Sequence, residues 1–142
     1  MKKLIVLSLV TLVMVIGGTL NPPKAVPAEP TVAKSAEEIV GTWFTNDSFF
    51  HGTYVRFDKD GTSRWATATH KLDSQPYAIN SYEFKGTEML ITEVSVSGVP
   101  SCGKVVGHYQ VQLLEHGNIR LVAIDDPSPR AGNLPGEYKP VR

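Results

Sequence analysis

The sequence predicts an all-β domain that closes as a small antiparallel up-and-down barrel of about seven or eight strands. Three observations predict it. Past residue 37 the chain breaks into short runs rich in Val, Ile, Thr, Tyr and Phe, punctuated by Gly and Asp. The turn sequences KDGT (59–62), FKGT (84–87) and EHGN (115–118) each put a glycine where a hairpin needs positive φ. No window of helical length carries a 3.6-residue apolar stripe, and Ala33 to Ile39 has room for a short lead-in turn at most. Consecutive tight hairpins favour a meander over Greek-key crossovers, and closure removes the edges that invite aggregation. A two-sheet sandwich is the second architecture that fits.

The chain opens MKKLIVLSLVTLVMVIGGTL, with two lysines before an apolar run from Leu4 to Ile16 that is too short for an ordinary spanning helix. Residues 1–20 therefore read as a signal peptide or an N-terminal anchor, with Val26-Pro27-Ala28 the best cleavage site. No cysteine follows the run, which excludes a lipid anchor through an N-terminal cysteine. Residues 21–36 hold four prolines and no aromatic, the composition of an extended, solvated linker. Residues 37–142 are left as one barrel domain. The expected localisation is secreted or extracytoplasmic, with membrane contact only through an uncleaved N-terminal segment.

The full chain has 14 basic and 14 acidic residues. Without residues 1–28 it loses Lys2, Lys3 and Lys24 and no acid, which leaves 11 against 14, a net charge of −3. A mildly acidic domain has no electrostatic footprint for nucleic acid. The single cysteine, Cys102, cannot form an internal disulfide, so the domain, expected as a monomer, must hold together by its core alone or pair Cys102 with another chain.

Strands are expected near 40–45, 52–58, 62–70, 79–85, 87–96, 104–114 and 118–124, with a last one near 136–141. The stretch VVGHYQVQLLEHGNIRLVAI shows how pattern fixes register. A three-residue loop with Gly117 as a bulge pairs Leu113 with Ile119 and Gln112 with Arg120, apolar against apolar, and turns Arg120 outward. At KDGT the pattern leaves the register open, because the simple bulged pairing would set Arg56 opposite Arg64. Two guanidinium groups side by side are unfavourable unless an anion sits between them. Arg56, Arg64 and Tyr82 are accordingly the residues expected to hold a carboxylate at a barrel mouth. Trp65 and Tyr109 join them as candidate ligand-binding residues. Trp43, Phe57, Trp65, Tyr82, Phe84 and Tyr109, spread over successive strands, are the expected wall residues.

Gly41-Thr42-Trp43 resembles the G-x-W opening of lipocalins and the wider calycin group, and YVRFDKDGTSRW (54–65) resembles a hairpin of small bacterial lipocalin-like domains. The resemblance covers about residues 38–142 in strand order. It implies a barrel holding a small hydrophobic or amphipathic ligand in its mouth. It also implies that Trp43 closes the barrel floor while a late arginine, Arg130, packs across it. The domain is shorter than a typical lipocalin and lacks a C-terminal helix.

Catalytic and metal motifs do not assemble. Gly98 to Val105 (GVPSCGKV) fits G-x-x-x-x-G-K, but valine follows the lysine and the next segment alternates with period two. A phosphate loop needs Ser or Thr there and a helix after it, so this is a loop between strands. His51, His70, His108 and His116 show no metal-binding spacing, and one cysteine cannot build a zinc site. Ser97 lacks a nucleophile elbow, Gly61 comes too early after Asp58 for a calcium loop, and Asp125-Asp126-Pro127 reads as a turn. The expectation is an exported, non-catalytic binding protein with no cofactor. Its alternative is a secreted protein-binding module, such as an inhibitor of an exported enzyme, with a solid barrel core.

Overall fold

The computed structural model describes residues 23–48 and 50–142. The signal or anchor expected over residues 1–20 lies outside them. Among the described residues nine strands are formed: β1 (Thr31–Val32), β2 (Gly41–Thr45), β3 (Thr53–Phe57), β4 (Thr62–Ala66), β5 (Ala78–Lys85), β6 (Glu88–Val96), β7 (Val106–Leu113), β8 (Ile119–Asp125) and β9 (Gly136–Pro140). Strands β2 to β9 pair antiparallel in chain order, and β9 pairs with both β8 and β2. The sheet is therefore a closed eight-stranded up-and-down barrel. Strand β1 is an addition, pairing with the end of β7 through Thr31↔Leu113 and Val32↔Gln112.

Two boundaries differ from expectation. The fourth expected strand, drawn to residue 70, stops at Ala66, and the chain turns into a single helical turn, α1 (Lys71–Ser74). This helix contacts β3 and β4 from outside. The linker expected to run to residue 36 ends sooner: residues 23–30 are exposed without regular structure, whereas Ala33 is fully buried and its N–H donates to Val111 O (2.8 Å). A small residue fits where the strand passes over the barrel end, and the pairing satisfies backbone groups that water would otherwise take.

The hairpins follow the turn chemistry. Leu113 pairs with Ile119 and Gln112 with Arg120, with Gly117 at φ 76°, and Arg120 is exposed. At KDGT, Gly61 has φ 82° and Arg56 pairs with Arg64. A Cβ on Gly61 would stand 2.9 Å from Tyr82 O, so glycine is required twice over.

The barrel has two unlike ends. Three tight hairpins crowd one end, which also receives the 3-10 turn Ala36–Glu38 and the buried Ile39. Trp43 donates from Nε1 to Ile39 O (2.8 Å), tying the entering chain to the barrel's inner wall. Longer connections, which follow β2, β4, β6 and β8, surround the other end, the mouth. Between them the interior is filled. Phe57 packs edge-on to Tyr82 (5.2 Å) and Trp65 (6.5 Å), and Trp65 meets Tyr138 (6.3 Å). Met89, Ile91, Tyr109, Val111 and Leu121 complete the buried core.

Candidate functional site

The filled core stops short of the mouth and leaves a half-open cup of about 120 Å3 there. Trp65 forms part of its wall, together with Tyr77, Val96, Pro100 and Leu134. The bulge in the β5–β6 ladder shapes the cup. Asn80 pairs with Glu93 but Ile79 pairs with Ser95, so Val94 is the extra residue and is 64% exposed. The insertion keeps Glu93 and Val96 on one wall although three positions separate them, and both line the cup. Over one side lie Ser48 and Phe50, from the connection after β2. Ser48 Oγ and Thr53 Oγ1 are 2.5 Å apart, Thr53 Oγ1 and Tyr77 OH 3.1 Å apart, and Phe50 rests against the Tyr77 ring (4.8 Å).

A polar network stands behind the opposite wall. The Asp126 carboxylate accepts from Tyr109 OH, Arg130 Nε (2.8 Å), Ser128 N (2.9 Å) and Ser128 Oγ (2.6 Å). Arg130 Nη2 also donates to Val105 O (2.9 Å). Burial alone pushes the Asp126 carboxyl up, but the hydrogen bonds from Arg130, Ser128 and Tyr109 outweigh it and hold the group down at about 2. Burial, reinforced by the hydrogen bond to that carboxylate, keeps the Tyr109 phenol protonated far up the pH scale. Gly107 makes room for this arrangement: a Cβ there would overlap the Asp126 carboxylate and the Tyr109 ring.

The residues singled out from sequence divide between three places. Trp65 and Arg130 line the cup. Arg130 is thus at the mouth and not on the floor across Trp43, because Asp126 and Val105 O, which hold it, sit at the loop end of β8 and β7. Tyr109 lies behind the cup, bound to Asp126. Tyr82 points to the hairpin end, where its hydroxyl donates to Asp58 O (2.6 Å), and burial raises its phenol to about 12. Arg56 and Arg64 sit on the outer wall, since their neighbours Val55, Phe57, Ser63 and Trp65 take the buried positions.

The anion that this arginine pair requires belongs to the chain itself. Asp58 pairs with Arg64, and its Oδ1 is 3.1 Å from Arg56 Nε, though without hydrogen-bond alignment. Asp73 of α1 accepts from Arg56 Nη1 (3.0 Å) and Nη2 (2.5 Å). Both guanidinium groups are thus neutralised by carboxylates of this chain.

Sequence reasoning missed Asn80, Glu93, Tyr77 and Asp126. A signal for Asn80 existed: Ala78, Asn80, Tyr82 and Phe84 share one face by alternation, and three of the four are apolar or aromatic. Asp126 gave none beyond its turn, because its partners lie on β7 and in the 126–135 loop. Among the described residues no group of three or more His, Cys, Asp or Glu side chains could hold a metal ion, and no helix is long and apolar enough to cross a membrane. No family model matches the chain, and no curated protein or solved structure is significantly similar to it.

Proposed function

We propose that this chain is an exported, non-catalytic binding protein of lipocalin-like build that holds a small, largely apolar molecule in the mouth of its barrel. One observation carries the reading: a half-enclosed apolar cup bounded by Trp65, Tyr77, Val96 and Leu134 where the core filling ends. Its size bounds the ligand. At about 120 Å3 the cup is below the roughly 300 Å3 of common ligand sites and near the ~150 Å3 of a cavity that takes benzene. A molecule of about six to eight heavy atoms fits, whereas a fatty-acid chain does not. Export rests on the lysine-led apolar run at residues 1–20.

A titration monitored by nuclear magnetic resonance tests the reading. Cyclohexanone is expected to shift the Trp65 indole and Ala78 methyl signals, and Ala78→Phe, which fills the cup, to abolish the shift while the protein stays folded. No response to any small apolar probe at millimolar concentration would overturn it.

The filled interior favours a second reading, a protein-binding module such as an inhibitor of an exported enzyme. Val94 and Ile124, the bulge residues of two ladders, and Val106 stand exposed on the outer wall and are available for such contact. Co-purification of an exported protein that is lost on Val94→Asp and Ile124→Asp would favour this second reading.

A further inference from the structure

We propose that the mouth cup recognises a small neutral amide or lactam, with the Asn80 carboxamide as the contact that reads it. The proposal rests on the reading of the cup as a ligand site. Asn80 is only 5% exposed and lines the cup, on the inner face between Ala78 and Tyr82. Its backbone is held in the sheet opposite Ser63 and Glu93. Among the described residues the only buried side-chain atoms without a partner are Arg56 Nε and Arg130 Nη1, so the Asn80 carboxamide opens onto the cup rather than being sealed from solvent. A carboxamide carries two donor hydrogens and a carbonyl acceptor, and in the cup these face space that water or a ligand can fill. Arg130, 7% exposed, lines the same cup, but its unpartnered Nη1 is sealed from solvent. The polar edge that opens onto the apolar cup is therefore that of Asn80.

The chemistry of that edge selects the ligand. Asn80 offers a donor and an acceptor side by side, which an amide edge matches with its own carbonyl and N–H. A ketone uses only the donor, and a hydrocarbon neither. Charge excludes the carboxylate that would otherwise compete. Arg130 is the sole cation among the lining residues, and Asp126 already neutralises it. Glu93 lines the cup as well, its carboxylate accepting from Ser101 Oγ (2.6 Å) and Cys102 N (2.5 Å). An anionic ligand would therefore meet a surplus of negative charge in a half-enclosed site, where like charges are screened least.

Three probes of similar size separate the outcomes: valerolactam, cyclohexanone and pentanoate, each titrated against the Trp65 signals of the intact protein. Valerolactam is expected to bind about tenfold or more tightly than either of the others, as a site that hydrogen-bonds its ligand discriminates against analogues lacking the group. Asn80→Leu should erase the difference between lactam and ketone without loss of thermal stability, since the carboxamide faces the cup. A purely structural asparagine would lose stability in that variant instead. Lactam and ketone binding within about twofold in the parent protein would overturn the amide proposal and leave the cup as a ligand site. Binding of none of the three would overturn both, with Asn80 holding water only. The parent protein alone decides between these outcomes, so the proposal does not depend on the folding of Asn80→Leu.

Discussion

Asp126 organises the mouth although it touches no solvent with its side chain. It gathers four hydrogen bonds and the charge of Arg130, so removing its charge leaves a buried guanidinium uncompensated. Asp126→Asn is expected to cost on the order of 3 kcal/mol at neutral pH, as breaking one side of a buried ion pair does. The pH dependence has a definite sign. With its folded pKa depressed to about 2 from the ordinary 3.8, the carboxylate contributes stability that is complete above pH 3.8 and lost as pH falls through 2. About 2 kcal/mol is involved. Urea unfolding of parent and Asp126→Asn should therefore show a gap that narrows from pH 5 to pH 2. A gap independent of pH would mean that the carboxylate is not held ionised by its neighbours. At the other end of the barrel, Trp43→Ala should cost about 3–5 kcal/mol as a large aromatic leaves the core. Trp43→Phe should cost less, because it keeps most of the packing but loses the bond to Ile39 O. Equal losses in the two variants would make that hydrogen bond the whole effect. On the outer wall, Arg64→Gln should change stability by less than about 1 kcal/mol, the range of exposed ion pairs, and leave ligand binding untouched.

Strand β1 tests where the barrel begins. Deletion of residues 1–30 should leave the unfolding midpoint nearly unchanged, since residues 23–30 are exposed. Deletion of residues 1–36 should lower it by about 10 °C, on the order of 2 kcal/mol for a domain of this size, as the β1–β7 bonds and the burial of Ala33 are lost. Equal midpoints for the two deletions would show that β1 adds nothing. The sequence made the barrel strands and the register of the β7–β8 hairpin legible, because alternation and glycine turns are local signals, whereas at KDGT the facing arginines left the register open. The Leu113↔Ile119 pairing, for example, follows from keeping apolar residues on one face. Strand β1 was hidden because two residues in a proline-rich stretch carry no period, and their partners Leu113 and Gln112 lie far along the chain on β7. The cup was hidden for a similar reason. Its outline depends on which residues are extra in the β5–β6 ladder, and Val94 looks like any other strand valine. Arg130 was assigned to the wrong end because its place is fixed by Asp126 and Val105 O rather than by strand alternation.

The whole molecule is a closed wall around aromatic packing, and its seam is β9. That strand joins β8 through Ile119↔Tyr138 and β2 through Trp43↔Pro140, so two ladders depend on it. Tyr138, fully buried, also brings its ring against Trp65 and donates to Leu134 O (2.8 Å). Removing residues 136–142 should abolish a cooperative unfolding transition and leave the protein associating through its bared strands. A sharp transition in the shortened protein would mean that the open sheet is stable by itself. The position of the seam has a temporal consequence. A ribosome makes β2 roughly ninety residues before β9, so the first barrel strand waits through nearly the whole of synthesis for its second neighbour. During that interval the growing chain can be at most a curved sheet with two free margins, and it cannot lock. A chain that cannot lock early remains threadable, which is the condition a protein must meet to pass through a narrow channel before it folds.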